Sequence, residues 1–138
     1  MKTDEEIMSK YWFFQPDYAL QNNLMAFGFE CGPGWYDLIE ELCDKISVLL
    51  DTKYPEFKTE IEEEDRYQGQ FQVTQVKEKF GTLRFYVSTA PDEVFDLIDE
   101  AEKKSAITCE HCGNPGSMRE HHMWLSTLCD ECDSKIAP

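Results

Sequence analysis

The sequence predicts an α+β fold in which two amphipathic helices pack on a small antiparallel sheet, followed by a cysteine-rich C-terminal module. Three observations indicate this. Apolar residues recur at helical spacing in two segments, the segment between them is rich in β-branched and aromatic residues, and four cysteines form two closely spaced pairs. A chain of 138 residues suits one main domain with a small appendage. We therefore expect an α+β domain at 1–108 and a separate module at 109–138.

Each predicted helix has one apolar stripe. After the helix-breaking segment 32–34, apolar residues recur every three or four positions, opposite acidic residues: Trp35, Leu38, Ile39, Leu42, Ile46, Leu49 and Leu50. The second helix is expected to end near Ser105, with Val94, Leu97, Ile98 and Ala101 directed inward. At its start, Thr89 followed by Asp92 resembles a capping arrangement.

Residues 71–88 predict two strands joined by a tight turn at Gly81. Leu83, Phe85 and Val87 alternate with polar residues and are expected to share one face. Val73 and Val76 are three residues apart and would point to opposite faces of a regular strand, which indicates a bulge between them. We expect one further strand to join this hairpin.

Four aromatic residues precede the first helix without a clean period. Tyr11, Trp12, Phe13 and Phe14 follow one another directly. We expect this N-terminal arm to dock its rings on the core; an exposed patch for a partner is the alternative.

The four C-terminal cysteines have the spacing of a metal site. Cys109 and Cys112 enclose two residues, as do Cys129 and Cys132, and 16 residues separate the pairs. Two such pairs fit tetrahedral coordination of one Zn²⁺ by four thiolates, in a zinc ribbon or a short treble clef. Gly113 supplies the backbone freedom that the first turn needs. Because four protein ligands leave no position for water, we expect one structural zinc ion.

The charge balance is strongly acidic, with 28 acidic against 13 basic residues and a formal net charge of −15. Such a surface repels phosphate backbones, so a partner protein with a basic surface is favoured over nucleic acid. The run Glu62, Glu63, Glu64 and Asp65 is the candidate partner contact, with a solvated loop as the alternative. We expect no membrane span and no signal peptide, hence a cytoplasmic protein.

Lys77, Lys79 and Arg84 make the hairpin the one locally basic segment of this acidic chain. With the neighbouring aromatic rings they would hold a nucleotide-like anion, which is the first alternative function. Balancing the acidic helix faces is the other interpretation of these cations.

His121 and His122 lie between the cysteine pairs and superficially resemble the histidines of HNH-type nucleases. In those enzymes, histidines on a zinc-bound ββα motif activate water and hold a second metal. Only six residues separate His122 from Cys129, too few for the loop that usually carries the central asparagine, and no histidine follows Cys132. A minimal metal-dependent nuclease is the second alternative function.

Three motifs occur together in this chain: Gly-Pro-Gly-Trp at 32–35 with the helix that follows it, Val-Lys-Glu-Lys-Phe-Gly-Thr-Leu-Arg-Phe-Tyr at 76–86, and the cysteine pairs. Together they resemble a group of small uncharacterised bacteriophage and bacterial proteins. The resemblance implies a phage or mobile-element context and no activity. In that context we expect a non-enzymatic protein that binds and inhibits or redirects a host protein, for example as an anti-defence factor or a DNA mimic.

Overall fold

The computed structural model describes residues 2–58 and 71–136. Nine helices and strands lie in these two ranges: α1 (Asp4–Met8), β1 (Phe29–Glu30), α2 (Tyr36–Lys53), β2 (Val73–Lys79), β3 (Thr82–Val87), α3 (Asp92–Ser105), β4 (Ser117–Arg119), β5 (Ser126–Leu128) and α4 (Asp130–Ser134). Short 3₁₀ turns occupy Met25–Phe27, Pro33–Trp35 and Pro55–Phe57. The predicted α+β class is confirmed, and the candidate partner contact at 62–65 lies outside the described residues.

The main sheet is mixed, in the order β1-β2-β3. β2 and β3 form the predicted antiparallel hairpin, but β1 runs parallel to β2, with Phe29 opposite Val76. The prediction of an antiparallel sheet was therefore wrong for its third strand. The long connection through α2, rather than a tight turn, separates β1 from β2 and permits this direction.

The hairpin turn is set by two residues in the left-handed region, Phe80 with φ 54° and Gly81 with φ 88°. Two successive residues with positive φ match the right-handed twist of the strands they join. The predicted bulge is confirmed, because the register shifts between Val73 and Gln75. Leu83 and Phe85 are buried on the inner face of the sheet.

One hydrophobic core joins both long helices, the sheet and the N-terminal arm. Every core residue predicted from periodicity is either buried or packed against this core: Trp35, Leu38, Ile39, Leu42, Ile46, Leu49, Val73, Leu83, Phe85, Val87, Leu97 and Ile98. The helix bounds also agree, with α3 ending at Ser105. The capping prediction was wrong: Pro91 holds the N-cap position and makes no side-chain cap.

The aromatic arm docks as predicted. Tyr11, Phe13 and Phe14 are buried, and the Phe13 ring lies 5.3 Å from both the Tyr11 and the Phe71 ring centroids. Five further core residues lie in segments without a clean period, and periodicity alone did not identify them: Ile7, Met8, Met25, Phe29 and Phe71.

The outer edge of β3 is covered by side chains of α3. The Leu83 amide donates to the Ser105 hydroxyl at 2.9 Å, and the Phe85 amide donates to a Glu102 carboxylate oxygen at 3.3 Å. These two amides point away from β2, so without α3 they would face solvent as unpaired donors.

Among residues 2–58 and 71–136, no helix combines the length and apolar character needed to cross a lipid bilayer.

Glu40 ties the N-terminal arm to α2. Its carboxylate binds the Lys2 and Lys10 ammonium groups, the latter at 2.9 Å, and its backbone carbonyl accepts from the Tyr11 hydroxyl. The hydrogen bond from Lys2, followed by that from Lys10, lowers the pKa of the Glu40 carboxyl below its ordinary 4.5. A lowered pKa in the folded state means that the ionised form stabilises the fold.

We predict that Glu40→Gln lowers the free energy of unfolding by less than about 1 kcal/mol at pH 7. The difference from the parent protein should persist above pH 4.5 and vanish as pH falls through the lowered pKa of Glu40. Urea unfolding at several pH values checks this. Glu56→Gln is the control, since Glu56 is exposed. If the difference in unfolding free energy between Glu40→Gln and the parent protein grows as the pH falls, the prediction is contradicted.

Candidate metal centre

The four C-terminal cysteines converge on one point. The sulfur atoms of Cys109, Cys112, Cys129 and Cys132 all lie within 4.8 Å of one another, and the Cys112 and Cys129 sulfurs are 3.6 Å apart. Cys109 and Cys129 are buried, whereas Cys112 is exposed. Four sulfurs at these separations are compatible with coordination of a metal ion by all four residues.

A tight turn positions the first pair. The Gly113 amide donates to the Cys109 carbonyl at 2.9 Å, and the Cys109 amide donates to the Asn114 carbonyl at 2.7 Å. Gly113 has a φ of 83°, the left-handed conformation expected for this position. Both sulfurs of the pair therefore face the same side of the turn.

The second pair opens α4. Cys129 is the N-cap residue, and its sulfur accepts the Cys132 amide at 3.3 Å. β4 and β5 form an antiparallel hairpin between the two pairs, with Ser117 opposite Leu128. The end of β5 thus delivers Cys129 to the first turn.

The thiols have divergent proton affinities. Burial alone would raise the pKa of the Cys109 thiol, but hydrogen bonds from three backbone amides of the module lower it to about 7. A hydrogen bond with the Cys129 sulfur and burial raise the pKa of the Cys132 thiol to about 12. Four thiolates at this spacing repel one another, so their joint ionisation requires a bound cation.

The first cysteine turn docks on the segment that begins α2. The Gly34 amide donates to the Glu110 carbonyl at 2.7 Å, and the Gly32 amide donates to the Glu110 carboxylate at 2.8 Å. A Cβ at Gly34 would lie 2.2 Å from the Cys109 carbonyl oxygen, and one at Gly32 would lie 2.5 Å from the Glu110 carbonyl oxygen. Only glycine permits this approach of two backbones.

Trp35 completes the joint from the core side. Its side chain is fully buried, and its indole Nε1–H donates to the Thr108 carbonyl at 2.8 Å. The residue thus fills the core and fixes the chain immediately before Cys109.

The hairpin turn of the main sheet contacts the module from another direction. The Thr127 hydroxyl donates to the Gly81 carbonyl at 2.7 Å, and a Cβ at Gly81 would lie 2.5 Å from the Met118 sulfur. The module at 109–136 is therefore held against the main body at two turns. The boundary at 108/109 stays a prediction.

The remaining cysteines lie apart from this group. Burial, followed by the charge of Glu110, raises the pKa of the Cys31 thiol to about 12, and burial also raises that of Cys43. Both thiols are therefore protonated at neutral pH, as expected for unreactive cysteines.

The candidate anion-binding residues lie on the outer face of the sheet. Lys77 and Arg84 are direct cross-strand partners, and Lys79 lies next to the turn, with its ammonium 5.5 Å from the Phe80 ring centroid. The structure thus brings these three cations onto one face.

A histidine and carboxylate group was missed in the sequence. His121 and His122 lie with Asp133, all three ligand atoms being within 4.8 Å of one another. The sequence analysis predicted no carboxylate partner for these histidines. The bend at 121–124 that turns them toward α4 is irregular, so no residue spacing indicates it.

These features define an α+β protein with a C-terminal module built around four clustered cysteines that can hold a metal ion. Comparisons with protein families, with curated proteins and with solved structures gave no match.

We predict that Trp35→Phe lowers the free energy of unfolding by about 1–3 kcal/mol, because the partly buried Thr108 carbonyl loses the indole donor. Trp12→Phe is the matched control: the Trp12 Nε1 atom is buried without a hydrogen-bond partner among the described residues. Trp12→Phe should lower the free energy of unfolding by less than Trp35→Phe does, as measured by chemical denaturation. Equal losses in the two variants would show that ring volume rather than the hydrogen bond decides the effect.

Proposed function

We propose that this chain is a zinc-stabilised, non-enzymatic binding protein of the cytoplasm. It uses an acidic, apolar-floored groove to bind a basic segment of a host protein, and thereby inhibits or redirects that protein.

The sulfur geometry supports zinc as the ion. A tetrahedron with Zn–S bonds of about 2.3 Å places its sulfurs about 3.8 Å apart, and the Cys112 and Cys129 sulfurs are 3.6 Å apart. Zn²⁺ has no geometric preference from its d electrons, so it accepts this tetrahedral arrangement. Two cysteine pairs joined by a β-hairpin suit a zinc ribbon or a short treble clef. All four positions are protein sulfurs, so the ion has a structural role.

We predict one Zn²⁺ per chain, lost or weakened in Cys112→Ser and retained in the control Cys31→Ser. Elemental analysis and native mass spectrometry give the stoichiometry. Zinc removal by a chelator should increase amide hydrogen exchange first in 109–136, since the cluster of Cys109, Leu128 and Cys129 is a small core. A Cys112→Ser variant with full zinc content and unchanged exchange would contradict this assignment.

A groove between α2 and α3 supports the binding role. It has a volume of about 650 Å³, and Val48, Leu49 and Leu97 supply its apolar floor. Val48 is 63% exposed although it lies in the middle of a long helix. An open apolar floor between two helices is the shape into which an amphipathic helix docks.

The charge of the groove selects the partner. α2 and α3 together contain eleven acidic and four basic side chains, a net charge of −7. On the rim, Glu93 is bound by Lys53, and Lys45 pairs with Glu41 and Glu100. Asp44, which accepts the Tyr11 hydroxyl, and Asp96 make no ion pair with a described residue. Two carboxylates without a cation beside an apolar floor favour a segment with lysine or arginine flanking an apolar face.

We predict that a lysine-rich amphipathic helical peptide binds this groove and that Val48→Asp weakens binding at least about tenfold, equivalent to roughly 1.4 kcal/mol. An aspartate there places an unpaired charge against the apolar face of the peptide. Amide chemical-shift changes in an NMR titration should map to α2 and α3, and affinity should fall as salt rises.

Phe27→Asp is the control for this experiment, because Phe27 is similarly exposed and lies outside the groove. Equal affinity of Val48→Asp and the parent protein, or shifts confined to another surface, would remove the groove as the contact. Recovery of the tagged protein from its host then identifies the natural partner, whose capture Val48→Asp should abolish.

The acidic run Glu62, Glu63, Glu64 and Asp65 stays a predicted second contact. Reversing these charges should weaken the same complex if the run contributes. The phage-type context rests on the resemblance of the three sequence motifs, and the host process follows from the captured partner.

Binding of a nucleotide-like anion is the second candidate function. Lys77 and Arg84 lie directly opposite on one face of the hairpin, an arrangement in which like charges repel unless an anion lies between them. No described carboxylate pairs with Lys77, Lys79 or Arg84. The charge of Arg84 nevertheless opposes the rise that burial causes in the pKa of the Glu102 carboxyl on α3, and Glu30 is the register partner of Lys77, so balancing nearby acidic side chains stays the alternative interpretation.

For this second role we predict that adenosine triphosphate or pyrophosphate raises Tm and that Arg84→Ala abolishes the rise. At a ligand concentration 100-fold above Kd the stabilisation should be about 2.7 kcal/mol. Lys58→Ala, which removes an exposed lysine outside the sheet, is the control. The absence of a rise with either anion would remove this role.

A further inference from the structure

A second cluster of metal-ligating side chains lies beside the four-cysteine group. His121 and His122 occupy the bend that follows β4, and Asp133 lies in α4 directly after Cys132. The Nε2 atoms of His121 and His122 lie 3.0 and 2.7 Å from the same Asp133 oxygen, Oδ1. Three donor atoms from two segments thus converge within 4.8 Å.

The surrounding side chains fix this arrangement. The His122 side chain is only 3% exposed and that of Asp133 15%, and the His122 ring stacks at 6.0 Å on Trp124. Arg119 lies 3.7 Å from the other oxygen of Asp133, Oδ2, and is itself held by the Leu128 carbonyl at 3.0 Å. Oδ2 is therefore directed to Arg119 and Oδ1 to the imidazoles.

The exposed histidine adds an argument for a ligand. His121 is 57% exposed, yet its ring turns back toward the carboxylate and lies 4.2 Å from the His122 ring centroid. When both Nε2 atoms are unprotonated, two adjacent imidazoles and one carboxylate oxygen form the donor set of a two-histidine, one-carboxylate metal site, in which the ion takes the place of the N–H···O hydrogen bonds. In such sites, hydrogen bonds and packing from surrounding groups orient the ligating carboxylate and imidazoles, as Arg119 and Trp124 do here.

We propose that His121, His122 and Asp133 form a second metal site, distinct from the thiolate group, for divalent first-row transition ions such as Ni²⁺, Co²⁺ or Zn²⁺. Nitrogen and oxygen donors distinguish it chemically from the sulfur site. Three protein ligands leave coordination positions for water, so the ion is exchangeable and open to a further ligand. The net charge of −15 raises the local concentration of divalent cations around the chain.

Ni²⁺ titration of the full chain, with zinc already bound at the four cysteines, tests this site. Calorimetry and native mass spectrometry should show one Ni²⁺ added per chain while the zinc is retained. Paramagnetic Ni²⁺ should broaden the imidazole NMR signals of His121 and His122 before that of His111. His121→Ala and Asp133→Asn should each weaken Ni²⁺ binding on the order of 100-fold, because loss of an outer partner alone costs 10–100-fold.

His111→Ala is the matched control, since the chain has three histidines and His111 lies outside the cluster. It should bind Ni²⁺ like the parent protein. Retained zinc and an unchanged Tm verify that each variant is folded. If Asp133→Asn unfolds, His121→Ala alone tests the site, because it removes an exposed ring. Binding of a single metal per chain, displacement of zinc by Ni²⁺, or parental affinity in His121→Ala would each overturn the proposal.

Discussion

The approach of two backbones, at Gly32–Gly34 and at Cys109–Glu110, is the constraint on which the rest of this structure depends. The Gly34 amide and the Glu110 carbonyl are hydrogen-bonded at 2.7 Å in a space that admits no side chain. This contact fixes where α2 begins and where the first cysteine turn lies. Trp35 then links the same point to the core through the Thr108 carbonyl. A side chain at either glycine would separate the two backbones.

The three motifs that set this sequence apart meet at the cysteine module. The Gly-Pro-Gly-Trp segment docks on the first cysteine turn, and the hairpin turn at Gly81 receives the Thr127 hydroxyl. The module has only a small apolar cluster of its own. Its order therefore depends on these polar contacts to the main body and, when the proposed ion is bound among the cysteines, on that ion as well. Loss of either the contacts or the ion weakens the other, because both hold the same short segment.

Much of this architecture could be predicted from sequence because it rests on periodicity and spacing. The stripe from Trp35 to Leu50 and the alternation of Leu83 and Phe85 identified buried faces, and the two cysteine pairs identified the four sulfurs that cluster. The direction of β1 could not be predicted, since Phe29 and Glu30 form a strand of two residues without a pattern. The meeting of His121, His122 and Asp133 depends on an irregular bend, and the groove depends on how α2 and α3 pack side by side. Neither relation is encoded at a fixed distance along the chain.

The covered edge of β3 has a consequence for how this protein associates. Strands at a sheet edge usually expose amides to which another chain can add a strand, and that route leads to aggregation or to strand exchange. Here Ser105 and Glu102 already accept the Leu83 and Phe85 amides. Strand addition at this edge would have to displace two side chains of a helix that is anchored in the core. Self-assembly through β3 is thereby suppressed.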